Sequence, residues 1–238
     1  MAANTKNIAL GTSVIDILFH TPVVLAKRFA TLDVLSEGKA IAGFGIGWSK
    51  DEYQASNIPF NDRGKRADEF IQALKKIWTD NIVEYKGKFY NIPPSIIGLK
   101  PVQKPHIPIY LEGFSPNTFN RIVKYDANGW LGVIAGPLEQ LENVVTMIKN
   151  IATKFNKDPE KFNHVLLTYP VVLENSGTSS KAAQRFPMTG TIDEIGMDIK
   201  RIKEIGISHI VFGYNLSPIG RNIDRMISTT KQLSKFAK

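Results

Sequence analysis

The 238-residue sequence has no cysteine, which excludes disulfides, thiolate metal sites and cysteine nucleophiles. This fits a reducing compartment, and a cytoplasmic location is expected. No apolar run approaches the roughly 20 residues that span a bilayer, and no basic-then-apolar leader is expected at the start. No His/Asp/Glu cluster has metal-ligand spacing. No Ser/His/Asp set accompanies a nucleophile elbow. Lysines and arginines outnumber acids 30 to 22, for a net charge of +8, yet no stretch interleaves aromatic and basic residues as a single-strand nucleic-acid binder does. The excess either attracts anionic small molecules or keeps the protein soluble. With 43% hydrophobic and 22% charged residues, the chain has the composition of a globular protein that can bury a full core, and one domain over residues 1–238 is expected.

The most informative stretch is residues 41–48, IAGFGIGW, in which Gly43, Gly45 and Gly47 alternate with apolar residues. Glycine weakens a strand unless something must come close to the backbone. At period two, all three missing side chains lie on one face. That face either receives a ring or phosphate, or packs tightly inside a barrel. The dinucleotide fingerprint is excluded, because G-x-G-x-x-G must run straight into a helix. Here the spacing is G-x-G-x-G, and polar residues 49–54 follow.

Apolar runs alternate with helix-period segments from end to end. Strands are expected at 8–14, 40–46, 107–112, 130–134, 165–173 and 208–212, apolar on both faces as in a parallel sheet covered by helices. Helix entries are marked by Thr21-Pro22, by Ser115-Pro116, by Pro137, by the Thr191/Glu194 capping box and by Asn222. Residues 49–106 are too long for one crossover. They read as an inserted amphipathic helix over 67–78, a hairpin IVEY–KG–KFYNI and a Pro-rich segment. A second polar stretch, 175–190, reads as a mobile loop or lid. Six strand–helix units leave an open doubly wound sheet or part of an eight-stranded barrel.

The blocks IALGTSV, HTPVVLAKRFATLDVLSEGK, GFGIGW, FNDRGKRADE with IWTD, KPVQKPHIPIYLEG with SP, and ANGWL, in that order, resemble the luciferase-like family of flavin- and deazaflavin-dependent oxidoreductases. The resemblance implies a TIM-type (β/α)8 barrel, here shortened to about six units because the first two strands are not recognisable. It implies a small organic substrate, coenzyme F420 in preference to FMN as cofactor, and a homodimer. An upstream in-frame strand–helix–strand segment is expected in the DNA.

By the same resemblance, Ser13-Val14 matches a non-prolyl cis peptide that backs the flavin ring. Gly45, Ile46 and Gly47 match the strand beside the ring and its side chain. Gly113, Phe114 and Ser115 match the loop that takes the cofactor phosphate at a helix start. Two residues depart from the pattern. Trp48 stands where some deazaflavin dehydrogenases carry a catalytic glutamate, which counts against a sugar-phosphate dehydrogenase. Glu112 stands where a small residue is usual and must point away from a phosphate or bind something else. Ser115 also reads as a simple N-cap. His20 either reaches substrate or caps a loop. His106, His164 and His209 sit at strand starts, away from the chemistry end of a barrel. Arg63 and Asp68 either bridge to the barrel rim or are solvated. A shortened member that binds flavin without turnover is the alternative reading.

Overall fold

The computed structural model describes residues 2–173 and 185–236. The chain divides into two compact units, Met1–Gly129 and Trp130–Lys238. Most of the expected loop at 175–190 lies outside the described residues.

In the first unit, short parallel strands β1 (Leu10–Gly11) and β2 (Ile15–Asp16) both pair with β3 (Ala40–Gly45), and β3 pairs in parallel with β6 (Ile109–Glu112). The expected strand at 8–14 is therefore split and continues to Asp16. The register shows why. Leu10 faces Ala40 and Gly11 faces Ile41, while Ile15 faces Phe44. Four steps on one side (11 to 15) match three on the other (41 to 44), so one extra residue bulges out. The Ser13–Val14 peptide within the bulge is cis. The Thr12 hydroxyl replaces the lost ladder bonds: it donates to the Gly43 carbonyl at 2.8 Å and accepts from the Gly43 N–H at 3.1 Å.

Helix α1 (Pro22–Leu35) begins as its sequence demands, with Pro22 first and the Thr21 hydroxyl accepting from the Val24 N–H. It packs Phe29 edge-on against Phe44 of β3 and Trp78 of α3 (Arg63–Thr79), and the Trp78 indole donates to the Ala26 carbonyl at 3.0 Å. A polar one-and-a-half-turn helix, α2 (Lys50–Ala55), precedes α3. Strands β4 (Val83–Lys86) and β5 (Asn91–Ser95) form the expected antiparallel hairpin. Its connection is four residues instead of the expected Lys-Gly pair. The Glu69 carboxylate of α3 accepts the N–H groups of Lys88, Phe89 and Tyr90, and these donors are therefore not available for a tighter strand pairing.

Asp33, fully buried at the last turn of α1, fastens the Pro-rich segment. It accepts from the Val102 and Gln103 N–H groups, the Gln103 amide and the Ala40 N–H. Helix α4 (Pro116–Lys124) follows β6, capped by Ser115.

The second unit carries β7 (Gly129–Val133), β8 (Asn163–Thr168) and β11 (His209–Phe212) as successive neighbours in the sheet, with α5 (Leu138–Lys154), α6 (Ile192–Glu204) and α7 (Ile223–Leu233) between and after them. Both halves of the predicted Thr191/Glu194 capping box are formed. The expected strand at 165–173 is interrupted at Pro170, which has no N–H to give a ladder. Its remainder, β9 (Val171–Val172), pairs separately with β10 (Thr189–Gly190). Arg185 makes a two-pronged ion pair with Asp198 of α6, at 2.6 and 2.8 Å, and Asp198 also accepts the Met188 N–H. His164 lies in β8 at 2% exposure, against the Trp130 ring.

Candidate active site

The last residues of β2, β3 and β6 are Asp16, Gly45 and Glu112. Asp16 is paired with Gly45, and continuing the β3–β6 register past Phe44–Leu111 brings Gly45 beside Glu112. The carboxyl-terminal ends of three parallel strands therefore present two carboxyl groups with a glycine between them. This is the end of an α/β barrel strand where functional groups are displayed.

Gly45 is explained by its neighbours. A Cβ built there would stand 2.7 Å from Asp16 Oδ1, 2.9 Å from Val14 Cγ2 and 3.5 Å from Glu112 Oε2. Gly47 adopts φ +67° and would bring a Cβ to 3.1 Å from the Tyr53 ring and 3.3 Å from Asp16 Oδ2. At both positions the close approach is made by this chain's own side chains. Tyr53, reaching back from α2, donates its hydroxyl to the Ile46 carbonyl and packs between Phe19 and Phe60. The strand end is thereby held from outside.

Burial raises the Asp16 pKa above the ordinary carboxyl value, and the Gly47 N–H partly opposes this. Burial raises Glu112 as well, and the charge of Asp16 adds to it. Burial of both carboxyls, and the Asp16 charge beside Glu112, disfavour the ionised forms at this place.

The neighbouring loop is a helix start. Gly113 has φ +132°, and a Cβ there would meet Thr118 Oγ1 at 2.8 Å. Ser115 accepts from the Thr118 N–H at 3.2 Å and contacts the Thr118 hydroxyl at 3.1 Å. Both the N-cap reading and an anion-binding helix start are compatible with this geometry. Phe114 is exposed on this loop, and Trp48, just past Gly47, is 87% exposed.

The sequence-predicted residues thus fall into two sets. Val14, Gly45 and Gly47 converge on Asp16, with Ile46 tied to Tyr53. Gly113, Phe114 and Ser115 follow Glu112 on the next strand. Ser13 is exposed on the bulge, and His20 closes the 3-10 turn Ile17–Phe19, with its N–H bonded to the Ile17 carbonyl. Asp68 bridges to Arg121 of α4 at 2.6 Å, while Arg63 stacks over Phe60. Sequence reasoning missed Asp16 and Tyr53. Asp16 was findable as an acid two residues past the GTSV block, but only the bulged register places it beside Gly45. Among the described residues no group of three or more acidic, histidine or cysteine side chains could hold a metal, and no helix is long and apolar enough to cross a membrane.

These strand ends belong to an α/β fold that displays its polar groups at the carboxyl ends of parallel strands, and the comparisons with known proteins make the class specific. The family model for luciferase-like monooxygenases matches residues 1–201. The chain belongs to the luciferase-like monooxygenase family. An uncharacterized protein of Mycobacterium tuberculosis is 35% identical over 130 residues, covering 55% of this chain and 46% of the relative. The oxygenase component of a flavin-dependent trigonelline monooxygenase from Acinetobacter baylyi is 27% identical over 186 residues, covering 77% of this chain and 51% of that protein. The chain spans about half the length of these curated relatives. An F420-dependent secondary alcohol dehydrogenase, solved with an F420–acetone adduct, superimposes with a TM-score of 0.81 at 20% identity, over 100% of this chain and 82% of that one. The fold is the luciferase-like TIM-barrel fold. Relatives in the family use F420 or flavin, and a flavin-type oxidoreductase is the activity of the class.

Proposed function

We propose that the protein is a single-barrel, homodimeric cytoplasmic enzyme that uses coenzyme F420, in preference to FMN, to reduce or oxygenate a small organic substrate. The observation that carries this reading is the pair of carboxyl groups, Asp16 and Glu112, beside Gly45 at the strand ends of a luciferase-like fold. The residues fit a flavin-type group at both ends. The Gly113–Ser115 helix start matches the loop that takes the cofactor phosphate in the family, where the positive end of the α4 dipole would favour an anion. The bulge at Ser13-Val14 and the strand end Gly45–Ile46–Gly47 border the ring. Because Val14, Asp16 and Tyr53 fill the space against Gly45 and Gly47, a ring held at this strand end would meet the Asp16 carboxyl edge rather than the glycine backbone.

A reduced flavin or deazaflavin, when bound, supplies the hydride or the reactivity toward O2. This chain's residues position it and manage the proton. Asp16 and Glu112, whose pKa values burial raises, would supply a proton to the substrate oxygen as charge develops on it, and the neighbouring carboxyl would lower the cost of recovering it. Trp48 and Phe114, exposed beyond the two strand ends, flank the apolar part of the substrate. A second reading, cofactor binding without turnover, is favoured by Trp48 at the position where some relatives place an acid.

Absorbance titration with F420 and with FMN tests the cofactor: saturable binding, tighter for F420, is expected, and binding of neither would sink the proposal. Asp16→Asn then tests the proton role. Without the Asp16 charge, the Glu112 pKa falls, so the alkaline limb of the pH–rate profile, where the donor loses its proton, moves to lower pH. A profile that stays in place would remove the pair from catalysis, and absence of turnover in the cofactor-loaded wild type would leave the second reading.

A further inference from the structure

A second polar cavity lies away from the strand ends, in the helix layer of the first unit. It is a cleft of about 330 Å³ between the amino-terminal turns of α3 and the outer face of α4. Its charged lining is Lys65, Arg121 and Lys124 against one acid, Asp68, and its amides are Asn117 and Asn120. Three cations to one anion leave a net positive cleft. Arg121 does not reach out for a ligand: it is 8% exposed, its Nε is bound to Asp68 at 2.6 Å and its Nη2 donates to the Gly64 carbonyl at 3.0 Å. Buried Arg121, held by the half-buried Asp68, forms the floor of the cleft. Gly64 is small where a Cβ would come within 3.3 Å of the guanidinium.

The two lysines differ from Arg121. Lys65 has only an exposed contact to Asp62 at 3.4 Å, and Lys124 lies over the Tyr125 ring at 5.0 Å. An exposed ion pair and an exposed cation–π contact each hold a side chain weakly, so both ammonium groups can turn to a common ligand. The face that α4 presents to the cleft, Asn117–Asn120–Arg121–Lys124, follows helical spacing. It therefore offers amide and ammonium donors along one line.

We infer that this cleft binds a small phosphorylated metabolite, with Lys65, Lys124 and Asn117 taking the phosphate over the Arg121–Asp68 floor. The volume is at the low end of the small-molecule range and exceeds what a bare phosphate fills. The inference stands apart from the cofactor site, because none of its residues belongs to the strand ends or to the Gly113–Ser115 loop.

The test is calorimetric titration of the full chain with inorganic phosphate as the probe, in wild type and in the double variant Lys65→Gln/Lys124→Gln, which leaves the Arg121–Asp68 pair intact. Saturable millimolar binding is expected, weakened ~10-fold or more in the double variant with an unchanged melting temperature. Absence of saturation, or equal binding in the variant, overturns the site. Equal thermal stabilisation by sodium chloride at matched ionic strength overturns it too, because screening would then suffice. A wild-type signal abolished by prior saturation with FMN would assign the phosphate to the cofactor loop instead and likewise overturn the inference.

Discussion

Acid should weaken this fold through His164. The ring is buried in β8, neither nitrogen has a hydrogen-bond partner, and Trp130 lies against it. Burial is the main cause of its pKa falling from 6.5 to about 4; the Lys149 ammonium pushes the same way and Glu160, paired with Lys149 at 2.6 Å, opposes. The folded state therefore resists a proton that the unfolded chain accepts. The contribution to stability is complete above pH 6.5, declines as the pH falls, and is lost once the pH passes about 4. A difference of about 2.5 units corresponds to about 3 kcal/mol in total, of which about 2 kcal/mol is gone at pH 5. Urea denaturation of wild type and His164→Phe, each from pH 7.5 to 4.5, isolates this term. Carboxylates common to both proteins cancel in the difference, so the variant should gain about 2 kcal/mol on wild type between pH 7.5 and 5. Parallel stability curves would show that the imidazole is hydrated or partnered in solution, and would refute the reasoning.

Removing the Asp33 carboxylate strands several buried donors at once, so Asp33→Ala should cost about 3 kcal/mol or more in urea denaturation. Asp198→Ala leaves the Arg185 charge without its two-pronged partner and should cost about 3–5 kcal/mol by the same measurement. Gly45→Ala forces a methyl against Asp16 and Val14; about 1–3 kcal/mol of destabilisation is expected, together with weaker cofactor binding in the absorbance titration. Asp16→Asn should be more stable than wild type at neutral pH, measured as a higher midpoint. A carboxyl with a raised folded pKa favours the fold only at low pH and loses that advantage as the pH rises, which a neutral amide does not.

Local chemistry made the helices legible. Thr21-Pro22, Ser115-Pro116 and the Thr191/Glu194 box each satisfy their helix ends with side chains of the same few residues, and such caps are visible in any single sequence. The strands were legible in place but not in extent, because a one-residue bulge and Pro170 each interrupt a ladder without disturbing the apolar run around it. The hairpin turn was misjudged because Glu69, some twenty residues earlier, takes its N–H groups. The same limit hid the carboxyl pair. Asp16 and Glu112 are far apart in sequence and ordinary in type, and only the pairing of three strands makes them neighbours. The helix α2 was missed because its six residues, four of them charged or amide, show no apolar period beyond the one buried Tyr53.

The bulge between Gly11 and Ile15 has a consequence for which residue borders the site. Carried on without it, the Leu10–Ala40 pairing would set Ile15, not Asp16, opposite Gly45. By taking up one residue, the bulge shifts the alternation of the strand by a single phase, exchanging a hydrocarbon for an acid beside Gly45. The polarity of this end of the barrel is thus written in the spacing of the chain as much as in its composition. Deleting one residue from 12–14 would remove the bulge and still set Asp16 opposite Gly45, so the bulge is what lets this strand carry an extra residue without losing the acid from the site.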